Sequence, residues 1–78
     1  MALRLHAITL EEGAHAVGRS LAGLELEALG AQVRAVRRPG EREKLDSAQA
    51  AELRAGDVVV LLGAPDALAL AEERLLRG

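Results

Sequence analysis

Seventy-eight residues are enough for one small domain, and half of them are apolar although the chain has no Phe, Tyr, Trp or Cys. The lack of cysteine excludes disulfides and thiolate metal sites, and a net charge of −2 without aromatic residues argues against nucleic-acid binding. A core this small rarely suffices alone, so we expect a homodimer that covers the remaining apolar surface.

The first half of the chain predicts a strand, a helical region and a second strand. Residues 3–10 contain an alternating segment rich in strand formers. Apolar residues fall at helical spacing over 17–29, but internal glycines make a short helix followed by a second turn equally compatible. Ser20 is available as an N-cap and Gly30 as the end of the helix. Residues 32–38 predict the second strand.

The second half predicts two more strands and a final helix. After the Pro39-Gly40 turn, residues 41–45 form a polar segment that suits an edge strand, and 47–53 predict a loop with a helical turn. Residues 57–63 are apolar on both faces, which favours a central strand or an interface. A helix follows from Pro65, and its buried stripe is Leu68, Ala71, Leu75 and Leu76. The prediction is a two-layer α+β domain with the order β-α-β-β-β-α.

No constellation of residues points to catalysis or to a cofactor. After Gly63 the chain lacks the further glycines of a dinucleotide-binding turn, and Asp66 puts a carboxylate where a phosphate would bind. The metal-like cluster has no firm third ligand at a fixed spacing, which favours a solvated loop; its members are His6, Glu11, Glu12 and His15. We therefore expect no enzyme, no cofactor and no metal.

Arginines are concentrated around the second strand. Regular alternation would put Arg34 and Arg38 on one face of that strand and Arg37 on the other. Near a dimer seam these guanidinium groups would suit a phosphate-bearing or other small anionic regulator. The alternative is a solvated edge hairpin whose charges discourage wrong strand pairing.

The order of these features resembles the TrkA C-terminal domain, also called the RCK C-terminal domain. The similar runs are GRSLAGLEL, GAQVRAVRRPG and LRAGDVVVLLGAPDALALAEERLL. They contain a glycine before a short Ser-Leu helix, an alternating strand that ends in Arg, a Leu-x-x-Gly-Asp turn and a strand closed by Gly. The matching positions are Gly18, Ser20, Leu21, Leu24, Val33, Val36, Arg38, Leu53, Gly56, Asp57 and Gly63.

The end of the chain is also similar to the cytoplasmic tails of Kef-type monovalent cation:proton antiporters. The resemblance implies that residues 1–78 form one regulatory, ligand-sensing and dimerising domain, a piece of a longer transport protein. Its host would be a potassium channel or a cation:proton antiporter in the inner membrane, with this domain in the cytoplasm. The membrane-embedded transporter, in the same or a neighbouring chain, would be its partner. The alternative is a free-standing small-molecule-binding or stress protein that shares the fold.

Three residues around the last strand are expected to serve the turns rather than chemistry. Asp57 follows Gly56, and its carboxylate can accept backbone N–H bonds at the entry to the strand. Gly63 lets the chain turn into the helix that begins near Pro65.

Overall fold

The computed structural model describes residues 2–40 and 52–78 and has the α+β architecture that the sequence predicts. In chain order the described elements are strand β1 (Arg4–Thr9), helix α1 (Leu21–Leu24), a 3₁₀ turn (Leu26–Leu29), strand β2 (Gln32–Arg37), strand β3 (Val58–Gly63) and helix α2 (Pro65–Leu76). The strand predicted at 41–45 and most of the loop predicted at 47–53 lie outside the described residues.

The described strands form one sheet in the order β1-β3-β2, and both pairings are antiparallel. The strand that is apolar on both faces is therefore central, as the sequence predicts. Its register is given by Thr9 opposite Val58 on one side and Arg37 opposite Val58 on the other.

Only one face of the sheet carries the hydrophobic core. Val59 and Leu61 of β3 are fully buried there, together with Ile8 from β1 and Val36 from β2. Helix α2 packs onto this side through the buried stripe Leu68, Ala71 and Leu75. We call this the covered face.

The opposite face is uncovered by the described helices. Val58, Val60 and Leu62 of β3 are only half-buried, and the cross-strand partner of Leu62, Leu5, is 67% exposed. We call the side chains of Leu5, Ala7, Thr9, Val58, Val60 and Leu62 the open face. The same three strands thus have one side inside the domain and one side that the described helices leave uncovered.

The helical region predicted at 17–29 is divided into two short turns, which was one of the two predicted alternatives. Ser20 caps α1 by accepting a hydrogen bond from the Gly23 backbone N–H at 3.1 Å. Glu25 then adopts a left-handed conformation, with φ 52° and ψ 45°, between α1 and the 3₁₀ turn. Gly30, also left-handed, ends the region as predicted.

Helix α2 begins at Pro65 and has Asp66 in its first turn, which suits the helix dipole. It is tied to the turns opposite by Arg74, whose Nη1 donates to the Leu24 carbonyl at 3.0 Å. At the same C-terminal end of α2, the backbone N–H groups of His15 and Ala16 donate to the carbonyls of Leu76 and Leu75. These contacts fix the helix against the covered face. Among the described residues, no helix is both long and apolar enough to span a membrane.

Candidate functional site

The turn before β3 is organised around a buried carboxylate. Asp57 has no exposed surface, and Arg38 holds it with two bonds, Nε to Oδ1 and Nη2 to Oδ2, each 3.0 Å long. The backbone N–H of Arg54 donates to Oδ2 at 2.9 Å. Arg38 Nη2 also donates to the Glu52 carbonyl at 3.1 Å. A bidentate guanidinium and a backbone donor together make Asp57 a fixed point of the fold.

The ionisation of Asp57 follows from these partners. Burial alone would raise the pKa of this carboxyl, because it disfavours the charged form. The hydrogen bonds from Arg38 and from the Arg54 backbone, with the positive charges of both arginines, outweigh burial and hold the pKa of Asp57 below its ordinary value of 3.8. Asp57 is therefore an anion at neutral pH and acts as a structural counter-ion.

Gly56, before β3, and Gly63, the last residue of β3, serve different purposes. Gly56 has φ +94°, a left-handed conformation that few other residues adopt, and its N–H donates to the Leu10 carbonyl at 2.6 Å. Gly63 has no such conformation, but a Cβ there would lie 3.0 Å from the Gly30 carbonyl oxygen and 3.5 Å from Ala31 Cα. Glycine is thus required at position 63 because two backbones pack closely there. The chain then enters α2 through Ala64, which is in extended conformation.

The three arginines predicted to bind an anion have different surroundings. Arg38 lies beyond the end of β2 and contacts Asp57. Arg37 is exposed and pairs with Val58, so it stands at the edge of the open face. Arg34 is exposed within a bulge between Val33 and Ala35. The bulge inserts one residue and interrupts the regular alternation that the sequence predicts for 34–38.

The open face is the candidate interaction site. It combines aliphatic side chains from β1 and β3 with Arg37 at one edge. Leu3, just before β1, is also 64% exposed. Aliphatic surface of this kind gains free energy when another apolar surface removes it from water, at roughly 25 cal/mol per Å². The chemistry available here is contact with another apolar surface, and Arg37 adds a positive charge at its rim.

The histidines do not meet the carboxylates with which the sequence grouped them. His6 Nε2 lies 3.7 Å from Glu72 Oε1 of α2, and His15 packs beside Gly78. In the part of the chain that the structure describes, no three His, Cys, Asp or Glu side chains come close enough to hold a metal ion. The His6–Glu72 contact is exposed and joins β1 to α2 at the surface.

Comparison with models of known protein families matches residues 5–76 of the chain to the TrkA-C domain. A comparison with curated proteins finds no match. The matched segment includes all the described helices, the turn around Asp57 and nearly all of the sheet.

Proposed function

The chain belongs to the TrkA-C family, and from this premise we propose that it senses a ligand and dimerises to regulate a potassium channel or a monovalent cation:proton antiporter. The family itself implies a regulatory domain associated with potassium transport or related proteins. The observation that carries the proposal is the open face. A sheet that is apolar on both sides but covered on one needs a partner for the other.

The partner proposed for the open face is a second copy of the chain. A two-fold interface would place β3 of one copy against β3 of the other, so that Val60 and Leu62 lie near its centre. Leu5 of each copy, now largely exposed, would be buried by the same contact. Because a domain of this size has a small core of its own, burial of this aliphatic surface would add appreciably to its stability.

Ligand sensing is assigned to the arginines at the rim of this interface. In a two-fold dimer Arg37 of both copies would stand at the edges of the seam, with Arg34 on the neighbouring bulge. Guanidinium groups suit a small anionic or phosphate-bearing regulator. Arg38 would act through its ion pair with Asp57, which fixes the end of β2 and so the position of Arg37.

The host is proposed to be an inner-membrane transporter, with this domain on its cytoplasmic side and without catalysis of its own. TrkA-C domains are typically cytoplasmic. The similarity of the C-terminal run to the tails of Kef-type antiporters favours an antiporter among the possible hosts. Regulation would follow if the ligand binds more tightly to one arrangement of the dimer, since only differential affinity shifts a conformational equilibrium.

Sedimentation of the chain at micromolar concentration tests the interface. The unaltered protein should sediment as a dimer, and Val60→Lys should make it a monomer because a charge would be buried at the seam. The matched control is Leu70→Lys on α2: Leu70 is 56% exposed but does not lie on the sheet, so this variant should remain dimeric. A monomeric unaltered chain, or a dimer that tolerates Val60→Lys, contradicts the proposal.

The regulatory role is tested in cells by rubidium uptake as a tracer of potassium flux. The gene that encodes the chain would carry either Val60→Lys or Leu70→Lys, with protein abundance measured in parallel. Flux should change for Val60→Lys and stay unchanged for Leu70→Lys. Equal flux in both strains at equal abundance would remove the link to potassium transport.

A further inference from the structure

A second surface feature is a groove that is separate from the open face. It has a volume of about 460 Å³ and lies between α1, the 3₁₀ turn and the edge of β2. Its apolar lining includes Leu21, Leu26 and Val33. A volume of this order accommodates a few side chains of a ligand or peptide. The groove is therefore suited to a short segment rather than to a whole domain.

Glu25 lines this groove in a conformation that its residue type rarely adopts. Among the described residues it alone has a positive φ without being glycine. The other positions with positive φ are all glycine: Gly13, Gly18, Gly30, Gly40, Gly56 and Gly78. Left-handed backbone is unfavourable for a residue with a Cβ, and such strain is found where a side chain is needed for function. Glu25 thus presents a carboxylate at the groove from a backbone conformation that glycine would adopt with less strain.

The groove is acidic as well as apolar. Glu25 and Glu27 both line it and both are exposed, and none of the described residues that line it is Lys, Arg or His. Within the described part of the chain, neither carboxylate takes part in an ion pair. The charge that complements this surface is positive, and the lining beside the carboxylates complements aliphatic side chains.

We propose that this groove docks a cationic amphipathic segment of the transport partner, with Leu-like side chains in the groove and Lys or Arg against Glu25 and Glu27. This inference rests on the proposed function, because it takes its partner from there. Cytoplasmic segments next to membrane-spanning helices carry an excess of Lys and Arg, so a transporter presents such segments to a cytoplasmic domain. An amphipathic segment in a groove is a common mode of peptide recognition.

The probe is a fluorescein-labelled synthetic peptide of 18 residues (roughly five helical turns). Its sequence places Leu on one face of the helix and Lys on the opposite face. Two further peptides keep the pattern but replace Lys by Glu or Leu by Ser. Fluorescence anisotropy should show saturable binding to the protein for the Leu/Lys peptide and for neither of the other two. Amide chemical shifts should move at Leu21, Ala22 and Val33 rather than at Val60 and Leu62. Binding of the Ser/Lys peptide with equal affinity would reduce the effect to general charge attraction and overturn the proposal.

The carboxylates are tested with variants of matched charge. Glu25→Gln combined with Glu27→Gln should weaken binding at least tenfold, whereas Glu11→Gln combined with Glu12→Gln, in the exposed turn after β1, should leave it unchanged. Glu25→Gly should raise the midpoint temperature of unfolding, because it removes the backbone strain. It should also weaken binding of the peptide, because it removes a carboxylate. Equal binding by both double variants, or tighter binding by Glu25→Gly, overturns the proposal.

These measurements use the chain alone, so their outcome separates from that of the proposed function. Loss of the dimer or of the effect on rubidium flux, with peptide binding intact, would contradict the transporter as the partner. The groove would then be a docking site for some other cationic segment. Failure of peptide binding, with the dimer and the flux effect intact, would overturn the docking proposal and leave the proposed regulatory function standing.

Discussion

The two faces of the sheet are made by alternate residues of the same apolar strand, yet they differ in burial. Val59 and Leu61 are fully buried on the covered face, whereas Val58, Val60 and Leu62 are only half-buried on the open face. Each face has a Leu and at least one Val. The comparison shows that hydrophobicity does not decide which side of β3 enters the core.

The register of β3 must therefore be fixed by something other than its own pattern. A shift by one residue would exchange the two faces, and in a uniformly apolar strand it would carry little penalty from burial. The bonds around Asp57 supply the missing constraint. The Leu10 N–H donates to the Asp57 carbonyl at 2.8 Å, and Arg38 holds the Asp57 carboxylate from the end of β2. Asp57 thus connects both outer strands to the first residue of the central one.

Asp57→Asn should have the largest effect on the difference between the faces. It leaves the partly buried Arg38 without its counter-ion and removes the anchor of the register, at a cost of about 3–5 kcal/mol. Because a core of this size supplies roughly 3–5 kcal/mol, the variant should be largely unfolded at 25 °C. Far-UV circular dichroism measures this, since the chain has no Trp or Tyr. The control Asp66→Asn, at the exposed start of α2, should cost less than about 1 kcal/mol.

Leu61→Ala and Leu62→Ala compare the two faces at adjacent positions with the same chemical change. Leu61 is fully buried, so its loss should lower the free energy of unfolding by about 2–5 kcal/mol. Leu62→Ala should cost about 1 kcal/mol or less in the monomer, because that side chain is already partly in water. Urea unfolding at a concentration where the chain is monomeric gives both values. Equal losses would show that the open face is already covered within one chain.

Val59→Thr and Val58→Thr sharpen the comparison with a change that keeps side-chain shape. The new hydroxyl at position 59 would be buried on the covered face and should cost about 1–3 kcal/mol unless it finds a partner. At position 58 water can reach the hydroxyl, and the change should stay within about 0.5 kcal/mol. Both values come from the same urea series. A cost at position 58 that matches the cost at position 59 contradicts the assignment of faces.

The smallest expected effect is the acid dependence of the anchor. The folded pKa of Asp57 lies below its ordinary value of 3.8, so its ion pair stabilises the fold fully above that value. As the pH falls below about 4 and approaches the lowered pKa, this contribution is progressively lost. An NMR titration of the Asp57 side-chain carbonyl carbon should give a midpoint below 3.8. A midpoint above that value would mean that burial, rather than Arg38, dominates.

Much of the fold can be predicted from the sequence because its signals are local. The Ser20 cap, the Gly30 end and the Pro65 start each depend on a few neighbouring residues, and all three occur as predicted. The central place of β3 follows from its apolar character on both faces. The carboxylate of Asp57 accepts a backbone N–H, as its place after Gly56 indicates.

What sequence reasoning missed depends on residues that meet only in the folded chain. The bonds between Arg38 and Asp57 join the end of one strand to the turn before another, and no spacing along the chain reveals them. The bulge at Arg34 leaves no mark on the residue pattern. The left-handed Glu25 carries none of the usual glycine signal, so the acidic groove beside it could not be found before the backbone was known.

The central strand of the described sheet is also the last of its strands to be synthesised. Neither β1 nor β2 has a pairing partner among the described strands until residues 58–63 are available, since both pair only with β3. Both described ladders thus close long loops, which favours slow folding for the length of the chain. While synthesis continues, the unpaired strands and their aliphatic side chains are open to contact with other nascent chains. We expect the sheet to form in a single late step once β3 has left the ribosome, so slower synthesis of residues 1–57 would extend exposure to aggregation without advancing folding.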